Sequence, residues 1–411
     1  MSRLEALIQQ HCPDGVEYKK LGELGVFYGG LSGKTKEDFK DGNAKFISYK
    51  NVFYNLSLNI DTDERVKIEE GEKQNTVQYG DVLFTGSSET PDECGMSSVL
   101  TQKTDEKLYL NSFCFGFRLH NPSQFCPNFL KHLFRSSELR KQIGKTASGT
   151  TRFNVSKKRF AEVSIPILPL PIQEEIARIL DNFAELQAEL QAELQKRLQQ
   201  YNYYRDKLLS FNDLNGGGYA VSVEWKKLGE IAQYARERVD SSLISTHTYV
   251  SVENLLQNRE GKKDASTVPS GSLIKYEKGD ILIGNIRPYL KKIWLADIDG
   301  GTNGDVLTIK ITDKDIMPSY LYQILASDAF FLYDMSYAKG AKMPRGDKTA
   351  VMNYVLPVPP LSVQKQIVDV LDRFEKLTND ITSGLPAEIE ARRKQYEYYR
   401  DQLLTFKQKA S

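Results

Sequence analysis

The sequence predicts an α+β fold: two tandem mixed α/β domains separated by two long antiparallel helices, arranged as a pseudo-two-fold repeat. Three observations predict it. The chain repeats itself at a fixed offset, each copy opens with short apolar runs broken by glycine turns, and each copy closes with a long helical stretch that begins at prolines.

The repeat organises the rest. LPLPIQEEIARILDNF (168–183) returns as PPLSVQKQIVDVLDRF (359–374), with Gln173/Gln364, Ile176/Ile367, Leu180/Leu371 and Phe183/Phe374 sharing one offset of 191 (364 − 173). The same ungapped offset reaches back through Pro166/Pro357, Lys157/Lys348, Gly149/Gly340 and Leu130/Leu321. QYNYYRDKLLSF (200–211) returns as QYEYYRDQLLTF (395–406) at an offset of 195 (396 − 201). VEYKKLGEL (16–24) matches VEWKKLGEI (223–231), and YGDVLF (79–84) matches KGDILI (278–283). The chain is a tandem duplication joined at NGGG (215–218), which places a first domain at 1–166, a central helix at 167–214, a second domain at 215–357 and a distal helix at 358–411. Its 411 residues exceed one ordinary core, as two domains require.

Within each copy, strands are expected at KFISYKNV (45–52), DVLF (81–84) and SFCFGFRL (112–119), and again at TYVSVENL (248–255), DILI (280–283) and DVLTIKI (305–311). Helices are expected at 128–143 and 319–333. Prolines 169 and 171, or 359 and 360, set the start of each long helix, because proline is tolerated there but not in a helix interior. Ile172, Ile176, Ile179, Leu180 and Phe183 form one apolar stripe; Val363, Ile367, Val370, Leu371 and Phe374 form its counterpart. At ~1.5 Å per residue, 172–211 would run about 60 Å, too long for one small domain to bury, so the two helices are expected to pack on each other. Tyr201, Tyr204, Leu208 and Phe211 share a face, as do Tyr396, Tyr399, Leu403 and Phe406. The copies differ here: Phe183 to Tyr201 is 18 positions (201 − 183), Phe374 to Tyr396 is 22 (396 − 374), and Gly384-Leu385-Pro386 should break or kink the distal helix.

The central helix also carries AELQAELQAELQ (184–195), so Leu186, Leu190, Leu194 and Leu198 recur every fourth residue. Each added unit would advance a helix by ~6 Å and overshoot one turn by ~40°. One DNA base pair advances about 3.4 Å and turns roughly 34–36°. The repeat is therefore expected to act as a length gauge between two DNA readers.

Composition narrows the chemistry. Hydrophobic residues make up 40% and mean hydropathy is −0.45, and no apolar run approaches a membrane span. Without an apolar signal core near the N-terminus, a cytoplasmic protein is expected. Cys12, Cys94, Cys114 and Cys126 form no CxxC pair and read as reduced thiols. GGLSGKT (29–35) lacks the glycine that a P-loop needs at 28, where Tyr28 stands. Pro91-Asp92 with Asp105 and Lys107 fits a metal-nuclease pattern only loosely, and Cys114, His120, Cys126 and His132 are spaced too widely for a zinc site. No nucleophile elbow, glycine-rich cofactor loop or amino-methylation motif appears, so neither a catalytic residue nor a metal site is assigned.

Charge is balanced overall, 55 basic against 54 acidic residues, but not locally. From Leu139 to Ala161 there is no acid, against Arg140, Lys141, Lys145, Arg152, Lys157, Lys158 and Arg159. Such a face can neutralise phosphates even on a neutral protein. It overlaps a polar loop that repeats, ASGTTRFNVSKKR (147–159) and AKGAKMPRGDKTA (338–350). Candidate DNA contacts there are Thr150, Thr151, Arg152, Asn154 and Lys157, and in the second copy Lys342 and Arg345. A second edge, TGSSE (85–89) and GNIRPY (284–289), adds Ser87, Ser88, Asn285, Arg287 and Tyr289, and the strands add Lys50, Asn51 and Asn254. A common scaffold with divergent tips suits two readers of different sequences.

At the two helix starts, the two QYxYYRD ends, GLPAEIEARRKQYEYYRDQLL (384–404), the LGEL/LGEI pair and the GDVL/GDIL strands, the chain resembles the specificity (S) subunits of type I restriction–modification enzymes. The tetrapeptide spacer is similar to that of the IC subgroup. The resemblance covers essentially the whole chain and is tightest in the helices. It implies a target recognition domain in each copy reading half of an asymmetric, interrupted site in double-stranded DNA. It implies an antiparallel helix pair that docks two methylase (M) subunits; Gln173, Ile176, Leu180, Phe183, Gln364, Ile367, Leu371 and Phe374 and the two tyrosine faces are the candidate contacts, either with methylase or between the helices. It implies that M carries S-adenosylmethionine, that restriction (R) subunits carry ATP and Mg²⁺, and that this chain binds no cofactor and performs no catalysis. A self-contained methylase or nuclease, and a coiled-coil scaffold without a DNA role, are the alternatives.

Overall fold

A computed structural model describes residues 3–211, 223–379 and 384–409; the join at 215–218 lies outside them. Three helices frame it: α1 (Leu170–Ser210), α2 (Leu361–Asn379) and α3 (Leu385–Leu403). The expected long central helix is α1, 41 residues, helical through every AELQ unit. Distally, α2 and α3 are described as separate helices, and α3 begins at the Gly384-Leu385-Pro386 step.

The chain forms two compact units, Met1–Glu189 with Glu390–Ser411, and Leu190–Ile389. The boundary cuts α1 inside the AELQ repeat and cuts α3 near its start. Each unit is therefore completed by helix residues belonging to the other copy.

In the first unit, an antiparallel sheet runs in the order Gly25–Gly29, Cys114–Leu119, Val82–Thr85, Ser97–Val99. A second sheet orders Arg65–Val66, Ala44–Ile47, Leu108–Leu110, Thr76–Val77, with one parallel pair. The apolar face of the first sheet packs on helices Pro127–Leu133 and Ser137–Gly144 through Phe84, Phe117, Phe129 and Phe134. The second unit repeats the plan: Ala232–Tyr234, Val306–Ile311, Ile281–Gly284, Ile293–Leu295 in one sheet, and Arg238–Asp240, Ser272–Tyr276, Gly300–Thr302, Tyr249–Val250 in the other. Its core gathers Ile281, Ile283, Leu307, Ile309 and Tyr320.

Four expected elements differ, two in each copy. The helix expected at 128–143 is two helices, because Ser136 has an extended backbone and its Oγ accepts from Leu139 N–H. Ser327, 191 residues on, breaks the second copy identically by capping Asp328–Tyr337 at Phe330 N–H. The strand expected at 45–52 ends at Ile47, where Ser48 caps a short helix, Tyr49–Tyr54, that carries Lys50 and Asn51. Likewise only Tyr249–Val250 of 248–255 is a strand, and Asn254 closes a turn by accepting from Ser251 N–H at 3.0 Å.

The long helices are clamped to their units by repeated polar side chains. Gln173, fully buried, accepts from Cys126 N–H and donates to the carbonyls of Gln124 and Leu168. Gln364 accepts from Met317 N–H and donates to Asp315 and Pro359, each partner again 191 residues on. Ile176, Leu180, Ile367 and Leu371 are buried beside these clamps. These six side chains are thus spent inside their units and offer no surface to a partner.

A second polar device holds the helix borrowed from the other copy. Burial holds His132 below its usual pKa despite Asp181, so the ring is neutral at pH 7. A carboxylate only accepts; His132 Nε2–H therefore donates to Asp181 Oδ1 (2.7 Å) and Nδ1 accepts from the Tyr396 hydroxyl (2.8 Å). In the second unit Gln323 stands where His132 stands in the first. Tyr201 donates to Gln323 Oε1 at 3.2 Å and Gln323 Nε2 reaches Glu375 Oε2 at 3.5 Å. Imidazole and carboxamide thus play one role, accepting from a tyrosine and donating to an acid. Ring contacts extend the pairing, Phe183 on Tyr399 at 5.2 Å and Phe374 on Tyr204 at 5.7 Å, while Leu208 and Phe211, Leu403 and Phe406 pack half-buried nearby.

Candidate nucleic-acid interface

The two candidate edges of each copy converge. In the first unit, strand Ser87–Ser88 pairs with Phe153–Val155, which pairs in turn with Ala147–Ser148. Asn154 lies opposite Ser87, and Phe153 opposite Ser88. The chain reverses at Gly149, whose φ of +148° and whose position, with an added Cβ only 2.0 Å from the Arg152 carbonyl, admit glycine alone. Thr150, Thr151, Arg152, Asn154 and Lys157 are exposed around this turn. Arg152 is mounted rather than loose: Nε donates to Ser87 Oγ at 3.1 Å, and the guanidinium lies over the exposed Phe113 ring at 5.6 Å.

Other candidates serve the scaffold. Tyr49 O–H donates to the Ser87 carbonyl (2.8 Å), tying the short helix with exposed Lys50 to the same strand. Asn51 is buried, accepting from Asn59 N–H and donating to Asn59 O. Ser87 and Ser88 are buried, and the Ser88 hydroxyl is bonded to Glu93 (3.1 Å). Of the acid-free run, Arg140 turns inward onto the carbonyls of Asp92, Cys94 and Gly95. The lysine of the P-loop-like segment, Lys34, is closed onto Glu72 at 2.5 Å.

The second unit builds the same tip from different side chains. Ile286 bridges Arg345, Arg287 N–H donates to Pro344 O (2.7 Å), and Gly346 N–H donates to Asn285 O (3.2 Å). Tyr289, Lys342 and Arg345 are exposed, while Asn285 is buried and Arg287 half-buried in a left-handed conformation, φ 55°. By the 191 offset, Met343 stands where Arg152 does and Arg345 where Asn154 does, and the strand opposite offers Ile286 in place of Ser87. Met343 is exposed, and Arg345 is paired with Asp305 at 3.2 Å.

Sequence reading missed two residues here. Phe113, the platform under Arg152, sits in a run read simply as strand. Asp334 lies fully buried against Gly346 with neither carboxylate oxygen hydrogen-bonded. Its counterpart in the first copy is Ile143, also fully buried, so an acid at an apolar repeat position was the available signal.

Gly340 turns the second tip with φ +105°, but there an added Cβ would approach the Met343 carbonyl only to 3.2 Å. Gly149→Ala is therefore expected to cost the first unit about 1–2 kcal/mol beyond its clash, and more than Gly340→Ala costs the second. Denaturant midpoints of the two variants compare them directly.

A family profile described as "Type I restriction modification DNA specificity domain" matches residues 13–200 and 221–391. The chain belongs to the type I restriction–modification DNA specificity family. The doubled match of this family falls once on each copy. The specificity subunit of the Escherichia coli EcoR124I/EcoR124II type I enzyme is 34% identical over 264 residues, 59% of this chain and 61% of that protein. A Haemophilus influenzae putative type I specificity subunit is 31% identical, covering 63% and 68%. The chain thus matches less than two thirds of the E. coli relative's length. Among solved structures, the S subunit of M. genitalium aligns over 95% of this chain and 96% of its own (14% identity, TM-score 0.50). A chain from a type I R-M system studied for complex assembly aligns over 95% and 98% (16% identity, TM-score 0.59). At these identities the structures show a shared fold.

Proposed function

We propose that this chain is the DNA sequence-recognition subunit of a type I restriction–modification complex. Each unit reads one half of a bipartite, asymmetric site in double-stranded DNA, and the helices carry two methylase subunits, through which restriction subunits join. The observation that supports this most is the tip: one scaffold, present twice, with Arg152 and Asn154 in one copy and Met343 and Arg345 in the other. Two such surfaces suit two unlike half-sites. S-adenosylmethionine, ATP and Mg²⁺ fall to the partner subunits, and the target adenine is flipped out of the duplex into the methylase. With the Gln173 and Gln364 clamps buried, the helix surface left for methylase is marked by Tyr203 and Tyr398, 60% and 62% exposed at matching repeat positions. No described helix is long and apolar enough to cross a membrane. We further propose the bacterial or archaeal cytoplasm as the site where the complex acts.

The test is selection of bound sites from random duplex DNA by the complex reconstituted with methylase. Two unlike half-motifs at a fixed gap are expected, with binding that weakens steeply with salt. A single contiguous motif, or methyl transfer or cleavage by this chain alone, contradicts the proposal.

The spacer yields a further prediction. Because α1 is helical through 184–195, deleting one AELQ unit shortens it by ~6 Å and rotates its C-terminal half by ~40° relative to its N-terminal half. The gap in the selected site is expected to shrink by about one to two base pairs with both half-motifs unchanged. An unchanged gap removes the gauge.

A further inference from the structure

We propose that Arg152 is the residue through which the first unit selects a guanine; the assignment rests on the half-site reading proposed above. Among the five arginines between 112 and 160, four are committed within the fold. Arg118 is paired with Asp81, and Arg135 and Arg140 donate to backbone carbonyls, as Arg159 does at 3.4 Å to Lys145 and Ala147. Arg152 alone is exposed with only Nε engaged, on Ser87 Oγ, and its flat cation resting on Phe113. Its two Nη groups carry no hydrogen bond among the described residues.

That mount suits a base reader, which needs a fixed plane, more than a phosphate anchor, which can do without one. A phosphate accepts a cation from many directions and needs no fixed plane. Guanine presents O6 and N7 side by side in the major groove, and a planar guanidinium already held by one nitrogen and one ring face meets them with two parallel N–H bonds. The hairpin beneath it is closed by Gly149 and registered by Asn154 opposite Ser87, so the point from which the side chain extends is fixed by backbone. In the second unit the same position is Met343, which offers no donor, and Ile286, which stands where Ser87 does, offers no side-chain acceptor to hold one. The two half-sites are accordingly read by different chemistry at this position.

The experiment is site selection by the complete complex with methylase, comparing wild type, Arg152→Lys and Ser87→Ala at one salt concentration. Lysine keeps the charge and loses the paired donors. Arg152→Lys is expected to lower the preference for guanine at one position of one half-site by about tenfold or more, with the other half-site and the gap unchanged. Ser87→Ala, which leaves the charge and both Nη groups, is expected to lower the same position's preference by about threefold. A bipartite motif identical for wild type and Arg152→Lys overturns this assignment alone. So does a uniform loss across all sequences, the signature of a phosphate contact. A wild-type complex that enriches no bipartite motif overturns the functional reading first, and the assignment with it.

Discussion

Tyr396→Ala is expected to destabilise the unit built from the first copy by about 3–5 kcal/mol, and Tyr201→Ala the unit built from the second by a similar amount. The effect crosses the repeat. Tyr396 belongs by sequence to the second copy but donates to His132 of the first, and Tyr201 belongs to the first but donates to Gln323 of the second. Each truncation removes a buried ring and strands a buried acceptor, and the two losses add. Amide hydrogen exchange resolves them: Tyr396→Ala should release protection in 127–144 while 318–337 keeps its own, and Tyr201→Ala should do the reverse. Loss confined to each tyrosine's own copy would contradict the exchange of helices between copies. Tyr396→Phe isolates the polar part and should cost about 1–3 kcal/mol, because His132 Nδ1 then lacks its donor.

Asp334→Asn is expected to stabilise the second unit at neutral pH. Burial, reinforced by the nearby charge of Asp347, pushes the Asp334 carboxyl up to about 6. A carboxyl whose pKa is higher folded than unfolded favours the fold below the unfolded value and loses that contribution as pH rises through about 6. By pH 7 the deficit is about 3 kcal/mol, from a shift of roughly two units at 1.36 kcal/mol each. Asparagine occupies the same space without charge and brings donors beside Asn285 Oδ1, which has no partner. The stability gained over wild type should thus be small at pH 4, grow through pH 6 and level above pH 7. A gain that does not vary with pH would show that the wild-type carboxylate is compensated.

The organisation was legible in the sequence because duplication writes its own register. The offset of 191 placed α1 and α2 correctly, and it also carried two features that local pattern hides. Ser136 and Ser327 were in plain view as paired helix caps, but the apolar periodicity running across them reads as one helix. Gln173 and Gln364 stood out as repeated residues, yet a polar side chain at a repeated helix position suits a clamp as well as a contact, and only packing shows that every donor and acceptor is used inside. The tips were found as two separate polar segments. That 85–89 and 147–159 share one sheet, with Arg152 braced on Ser87 and Phe113, is a long-range pairing that local pattern does not encode. His132 and Gln323 show the same limit, since no substitution scale equates imidazole with carboxamide until both are seen between a tyrosine and an acid.

On the proposed function, the two units are independent readers on a shared scaffold. Replacing the tip 147–155 by its counterpart 338–346 in the complete complex, then selecting bound DNA, tests it most directly. One half-motif is expected to change while the other half-motif and the gap stay as they were. A change in both halves, or in neither, would contradict it.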